Sequence, residues 1–127
     1  MKLQTGGAKL EGIRLETNIH DIDGMNVLDV TGEIDVYTAP QFKEAINSVL
    51  SGGQKHLIID FAQVTYMDSS GFGALLSATK RLKPIGGTVN LIKCNGSIDR
   101  ILKITRLNTV FGIYGSIEEA LEAVKAV

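Results

Sequence analysis

His56-Leu57-Ile58-Ile59-Asp60-Phe61 is a short apolar, β-branched run that follows the Gly52-Gly53 break. At six residues it is too short for a buried helix and reads as a central strand. Ala62 to Asp68 then reads as a connecting loop carrying Tyr66 and Met67. Asp68 or Ser69 caps a helix reaching about Lys83, with Phe72, Leu75, Leu76 and Leu82 among its apolar residues, and Pro84 and Gly86-Gly87 end it. On the upstream side Thr38 is a candidate N-cap, and Pro40 falls where a missing N–H is no loss. Phe42, Ala45, Ile46, Val49 and Leu50 recur at spacings of three and four, so a helix from Ala39 to about Leu50 buries one stripe.

Further out, Ile13-Leu15-Thr17-Ile19 alternates with polar residues as a half-buried strand does. Asp23-Gly24 supplies a tight turn into a second strand, Val27 to Thr31, which Gly32-Glu33-Ile34-Asp35 ends. Toward the C-terminus, Thr88 to Lys93 reads as a strand and Ser97 to Thr105 as a short helix with Ile98, Ile101, Leu102 and Thr105 on one side. Val110 to Ile113 reads as a short extended piece, and Ser116-Ile117-Glu118-Glu119 as a reciprocal capping box opening a last helix with Ala120, Leu121 and Val124 inward. A hairpin followed by strand–helix alternation predicts a single α/β domain: a mixed β-sheet opening with a β-hairpin and covered by about four helices. It spans residues 13–127 behind a loosely ordered leader, residues 1–12.

The chain has 127 residues, 44% hydrophobic and 21% charged, enough for one ordinary core. Thirteen basic and 14 acidic side chains leave a net charge of -1, with no nucleic-acid-binding signature. No apolar stretch approaches a membrane span and no signal-peptide core is present, so a cytoplasmic protein is expected. Cys94, the one cysteine, ends an apolar run and reads as a small core hydrophobe.

The chemistry-bearing segment is Tyr66-Met67-Asp68-Ser69-Ser70-Gly71-Phe72-Gly73, two hydroxyls where a loop after the central strand enters a helix. Functional groups gather at such strand ends, and a helix N-terminus favours anions. Helix capping with glycines for close packing explains the same residues. Catalysis by a serine triad is not expected. Neither His20 nor His56 follows a loop that faces Ser69, and no Gly-x-Ser-x-Gly elbow exists. No Walker loop is present, and two separated histidines with one thiol offer no metal cluster. Neither an enzyme nor a cofactor or metal is expected.

Gly32-Glu33-Ile34-Asp35-Val36-Tyr37-Thr38-Ala39-Pro40, with the segment from Asp60-Phe61 to Gly73, closely resembles the bacterial anti-sigma-factor antagonists of the STAS-domain family. The likeness covers about residues 13–125 and includes Gly86-Gly87 and the stretch from Ile101 to Leu107. It implies a switch. The unphosphorylated chain binds an anti-sigma factor that is also a serine kinase, releasing the sigma factor. The kinase phosphorylates Ser69, ending the interaction, and a serine/threonine phosphatase resets it. Ser70 aligns with the neighbouring hydroxyl. Glu33, Asp35, Tyr37 and Thr38 resemble the family's partner-contacting loop, and Met67, Asp68, Ser69, Ser70, Gly71, Phe72 and Gly73 form the second contact segment. Gly71 and Gly73 are expected to admit the partner, and Phe72 is either core or an exposed anchor. A scaffold or sensor component binding other partners, or a small-ligand or nucleotide-binding domain, is the alternative. Arg106 departs from the pattern, since relatives often have glycine there.

Overall fold

The computed structural model describes residues 14–126. The expected leader, Ile13 and Val127 lie outside them. Strand β1 (Leu15–Ile22) turns into β2 (Met25–Ile34), and α1 (Ala39–Leu50) leads to β3 (His56–Met67). Then follow α2 (Ser69–Leu82), β4 (Thr88–Ile92), α3 (Gly96–Ile104), β5 (Gly112–Tyr114) and α4 (Ile117–Lys125). The sheet runs β1-β2-β3-β4-β5, antiparallel between β1 and β2 and parallel elsewhere. Asp23 and Gly24 both take positive φ, 55° and 82°, the two left-handed residues that match a two-residue hairpin to strand twist.

The parallel strands are added one after another in the same direction, so right-handed crossovers lay α1, α2 and α3 on one face. There the main core forms, with Phe42, Ile46, Leu75, Leu82, Ile98 and Leu102 packed on Leu28, Leu57, Ile59 and Leu91. Among the described residues the opposite face is covered by α4, whose Ala120, Leu121 and Val124 pack on Val27, Ile58 and Ile92. Adjacent strand residues point to opposite faces. Ile58 and Ile59 therefore serve different cores, and β3 is apolar and buried on both faces from Leu57 to Ile59.

The largest departure from the sequence expectation is β3. Residues 62–67, read as loop, continue the strand alongside β2 as far as the pairs Glu33 with Tyr66 and Ile34 with Met67. Asp29 pairs with Asp60 but Thr31 with Gln63, and Gly32 with Val64 but Glu33 with Tyr66, so β3 carries an extra residue twice. These bulges space its buried residues Phe61, Val64 and Met67 three apart. A period of three matches no strand template, which is why the extension reads as loop.

Smaller differences have local causes. Ile19 is 43% exposed because β1 is an edge strand, with only its ends packed inward. α3 buries Ile98 and Leu102 and leaves Ile101 and Thr105 exposed. It is capped by Asn95, whose side chain accepts from the Ile98 N–H at 2.9 Å. Val110 closes a 3-10 turn, Leu107–Thr109, so the last strand begins at Gly112. Ser116 caps α4 at the Glu119 N–H (3.2 Å), while the Glu119 carboxylate reaches back to Gly115 (3.1 Å). The capping box is thus displaced by one residue on the glutamate side. Arg106 keeps the left-handed backbone that glycine favours, at φ 63° and ψ 18°. Cys94 lies just beyond β4 and is partly buried against the main core. Burial, then Asp99, pushes its thiol up to about 12. His56 Nδ1 lies 2.7 Å from Thr88 Oγ1, and burial, then Lys55, holds its pKa below the usual histidine value.

Candidate functional site

The ends of β2 and β3 bring the two chemistry-bearing segments side by side. Ile34 pairs with Met67, and the Asp68 N–H donates to the Ile34 carbonyl at 3.0 Å, tying the entrance of α2 to the exit of β2.

At the entrance of α2 the cap is Asp68. Its backbone is extended, its Oδ1 accepts from the Ser70 N–H at 2.8 Å, and its carbonyl accepts from the Gly71 N–H at 3.0 Å. That satisfies donors a helix start otherwise leaves free. Ser69 therefore need not cap. It is the first helical residue, exposed, and its hydroxyl has no hydrogen-bond partner among the described residues. Ser70 is half-buried. Within the first turn of α2 itself no acidic residue occurs, so the Asp68 carboxylate at the cap is the negative charge already facing this helix start.

The expectation that Gly71 admits a partner is corrected. Gly71 is buried, and a Cβ there would overlap the Met67 side chain and come within 2.9 Å of Ile34 Cγ2. Its small size serves internal packing of α2 on β2 and β3. Gly73, by contrast, is exposed with open space where a Cβ would stand. Phe72 is settled as core, at 8% exposure. Met67 is likewise buried.

The loop between β2 and α1 is built differently. Asp35 Oδ1 accepts from the Tyr37 N–H at 2.9 Å and the Thr38 N–H at 3.0 Å, and its carbonyl accepts from the Ala39 N–H at 2.8 Å. Thr38 stands at the N-cap of α1 as expected, its carbonyl accepting from the Phe42 N–H at 3.0 Å, but its side chain makes no cap bond, and Asp35 holds the turn that leads into the helix. The Thr38 hydroxyl turns back, donating to the Glu33 carbonyl at 2.8 Å and accepting from the Asp35 N–H at 2.9 Å. Asp35 Oδ2 pairs with Arg14, which also reaches Glu33 Oε1 at 3.0 Å. Asp35 and Thr38 are buried, so they shape the loop from beneath. Glu33 and Tyr37 are exposed, Tyr37 at 81%.

Three residues were not anticipated. Val36 is 62% exposed and Tyr66 53% exposed at this same end of the sheet. Tyr66 becomes legible as a solvent-facing strand residue only once β3 is known to continue through it. Arg14 carries no motif and sits before the first strand. An open groove of about 140 Å³ runs between α1 and α2, floored by Ile46 and Leu50 and rimmed by Lys43 and Arg81, and it includes none of these loop residues. Among the described residues no cluster of His, Cys, Asp and Glu could hold a metal ion, and no helix is long and apolar enough to cross a membrane.

Similarity to known proteins follows the same lines. The STAS domain family matches residues 16–120. An anti-sigma-B factor antagonist of Listeria monocytogenes is 35% identical over 101 residues, covering 80% of this chain and 88% of that protein. A crystal structure of an anti-sigma factor antagonist from Mycobacterium paratuberculosis superposes with a TM-score of 0.76 at 32% identity, covering 87% of this chain and 94% of that one. The Bacillus cell fate determinant SpoIIAA in its phosphorylated form shares the fold, with a TM-score of 0.66 at 22% identity over 86% of this chain and 99% of that one. With a five-stranded mixed sheet and four α-helices among the described residues, and a family match across most of its length, the chain belongs to the STAS domain family.

Proposed function

We propose that this chain is an anti-sigma-factor antagonist, a binding protein without catalytic activity of its own, working in the cytoplasm. Unphosphorylated, it docks through the Glu33–Thr38 loop and the start of α2 onto a serine-kinase anti-sigma factor, which then releases its sigma factor. The observation that carries the reading is the Ser69 hydroxyl, exposed and unengaged at the first turn of α2, beside the exposed Val36, Tyr37 and Tyr66. Similarity to antagonists of sigma regulation in two bacterial genera supports the class of partner. SpoIIAA, which shares the fold and has been solved in a phosphorylated form, is the parallel for Ser69.

The proposed contact surface is narrower than the motif. Glu33, Val36, Tyr37, Tyr66, Ser69 and Gly73 face outward and can touch a partner. Asp35, Thr38, Met67, Gly71 and Phe72 support that surface from within, and Asp68 and Ser70 lie at its edge.

Phosphorylation at Ser69 forms a bond from its oxygen to the γ-phosphorus of ATP as the bond to ADP breaks. The product carries about 1.5–2 negative charges next to Asp68. The α2 N-terminus tolerates that charge in the free chain. A docked protein surface that has excluded water does not. Binding is lost while the fold survives, and a phosphatase restores the hydroxyl.

The test is incubation of the chain with ATP and a panel of purified serine-kinase anti-sigma factors, followed by mapping of the modified residue. Phosphate on Ser69, absent in Ser69→Ala, supports the reading. A panel in which no member binds or phosphorylates the chain argues against it.

A further inference from the structure

We propose that Arg14 is a positioning residue, a guanidinium contributed from before β1 that holds the Glu33–Thr38 loop in its docking shape. The inference rests on the docking role assigned to that loop above.

The side chain of Asp35 is 11% exposed, and its Oδ1 is taken by the Tyr37 and Thr38 N–H groups. A nearly buried carboxylate needs a counter-charge. Among the described residues the cation paired with it is Arg14, which donates to Asp35 Oδ2 and, at 3.0 Å, to Glu33 Oε1. The backbone of Arg14 joins the same segment, its carbonyl accepting from the Glu33 N–H at 2.8 Å. Gly32 makes room for that approach. Its φ is +117°, and a Cβ there would overlap the Arg14 carbonyl. The guanidinium carbon also lies 5.9 Å from the centre of the Tyr37 ring, within cation–π range of the most exposed aromatic at this end.

One side chain therefore neutralises the loop's buried acid, holds its exposed acid and backs its aromatic. Arg14 is itself exposed and contributes nothing to either core. Its removal is expected to loosen the loop and leave the sheet intact. The Arg14–Glu33 pair, about half exposed on both sides, adds little by itself. The Asp35 contact carries the effect.

The experiment is amide hydrogen exchange, read by NMR on the full chain, for Arg14→Ala, Arg14→Gln and Arg14→Lys. Arg14→Gln keeps a stem that can lie on Tyr37 and drops the charge. We expect exchange at the Tyr37 and Thr38 N–H groups to accelerate about tenfold in the Ala and Gln variants. Leu91 and Ile92, deep in the sheet, should be unchanged. Arg14→Lys, which keeps a cation for Asp35, should restore part of the protection. Wild-type exchange at Tyr37 and Thr38 in both neutral variants overturns the proposal. So does equal acceleration at Leu91 and Ile92, which would make Arg14 a residue of general stability. Against a serine-kinase anti-sigma factor that binds the wild-type chain, Arg14→Gln should weaken binding about tenfold and Arg14→Lys less. A panel with no binder for the wild-type chain counts against the docking reading alone, because the exchange measurement needs no partner.

Discussion

The two segments that meet at the ends of β2 and β3 carry similar residues and use them in opposite ways. In the β2–α1 loop nearly every polar group is spent internally: Asp35 on two backbone N–H groups and Arg14, Thr38 on Glu33 and the Asp35 N–H. At the β3–α2 entrance Asp68 alone satisfies the helix start, and Ser69 beside it is unengaged. A residue held by several buried bonds is expensive to disturb and poorly suited to being modified. An exposed hydroxyl with no bond to break can gain or lose a phosphate with little consequence for the fold. The first segment is built as a fixed template and the second as a variable one.

The contrast fails most visibly if modification at the second segment unfolds the protein. Ser69→Asp should weaken binding to a kinase partner by on the order of 100-fold, about 3 kcal/mol, with thermal stability within about 0.5 kcal/mol of wild type. Calorimetric titration and a melting curve on one sample decide it, and a melted fold with unchanged affinity for whatever remains would erase the distinction. Next in size is the pair of aspartates, Asp35 in the turn before α1 and Asp68 at the cap of α2. Asp35→Ala removes the shared acceptor of two N–H groups and takes a partner from Arg14, and should cost about 2–3 kcal/mol. Asp68→Ala removes one cap bond and should cost about 1 kcal/mol. Urea denaturation of both variants measures the gap, and equal losses would mean the two segments are held alike.

The glycines sharpen the same comparison from inside α2. Gly71→Ala drives a methyl into Met67 and Ile34 and should destabilise by about 1–2 kcal/mol, partly relieved by movement of the flexible Met67 chain. Gly73→Ala meets open space and should stabilise by about 0.5–1 kcal/mol through helix propensity. Opposite signs two residues apart would be hard to explain if both glycines served a partner's approach. An effect as small as that of Gly73→Ala lies away from both segments. Arg106→Gly should stabilise by about 0.5–1 kcal/mol, because Arg106 holds a left-handed backbone that glycine adopts freely. It should do so without altering partner binding.

What could be read early followed from local signals. The α1 stripe, the Asp23-Gly24 hairpin and the Ser116 cap each depend on residues within a few positions of one another, and each stands where expected. The Thr38 cap position of α1 is equally local, but the role of Asp35, which holds the preceding turn through the Tyr37 and Thr38 N–H groups, carries no such signal. The second half of β3 was missed because bulges replace the two-residue alternation by steps of three.

From its residues alone the chain declared an α/β sheet with an opening hairpin, the order of its helices and strands, and a serine at the mouth of α2, since propensity, periodicity and turn chemistry act between near neighbours. Only the folded molecule decided that Phe72 and Gly71 face inward, that Tyr66 belongs to a strand and stands exposed, and that Arg14 reaches Asp35 across 21 positions of chain. Those outcomes are set by which strands lie side by side and how much space remains between them, and no window of sequence contains that information.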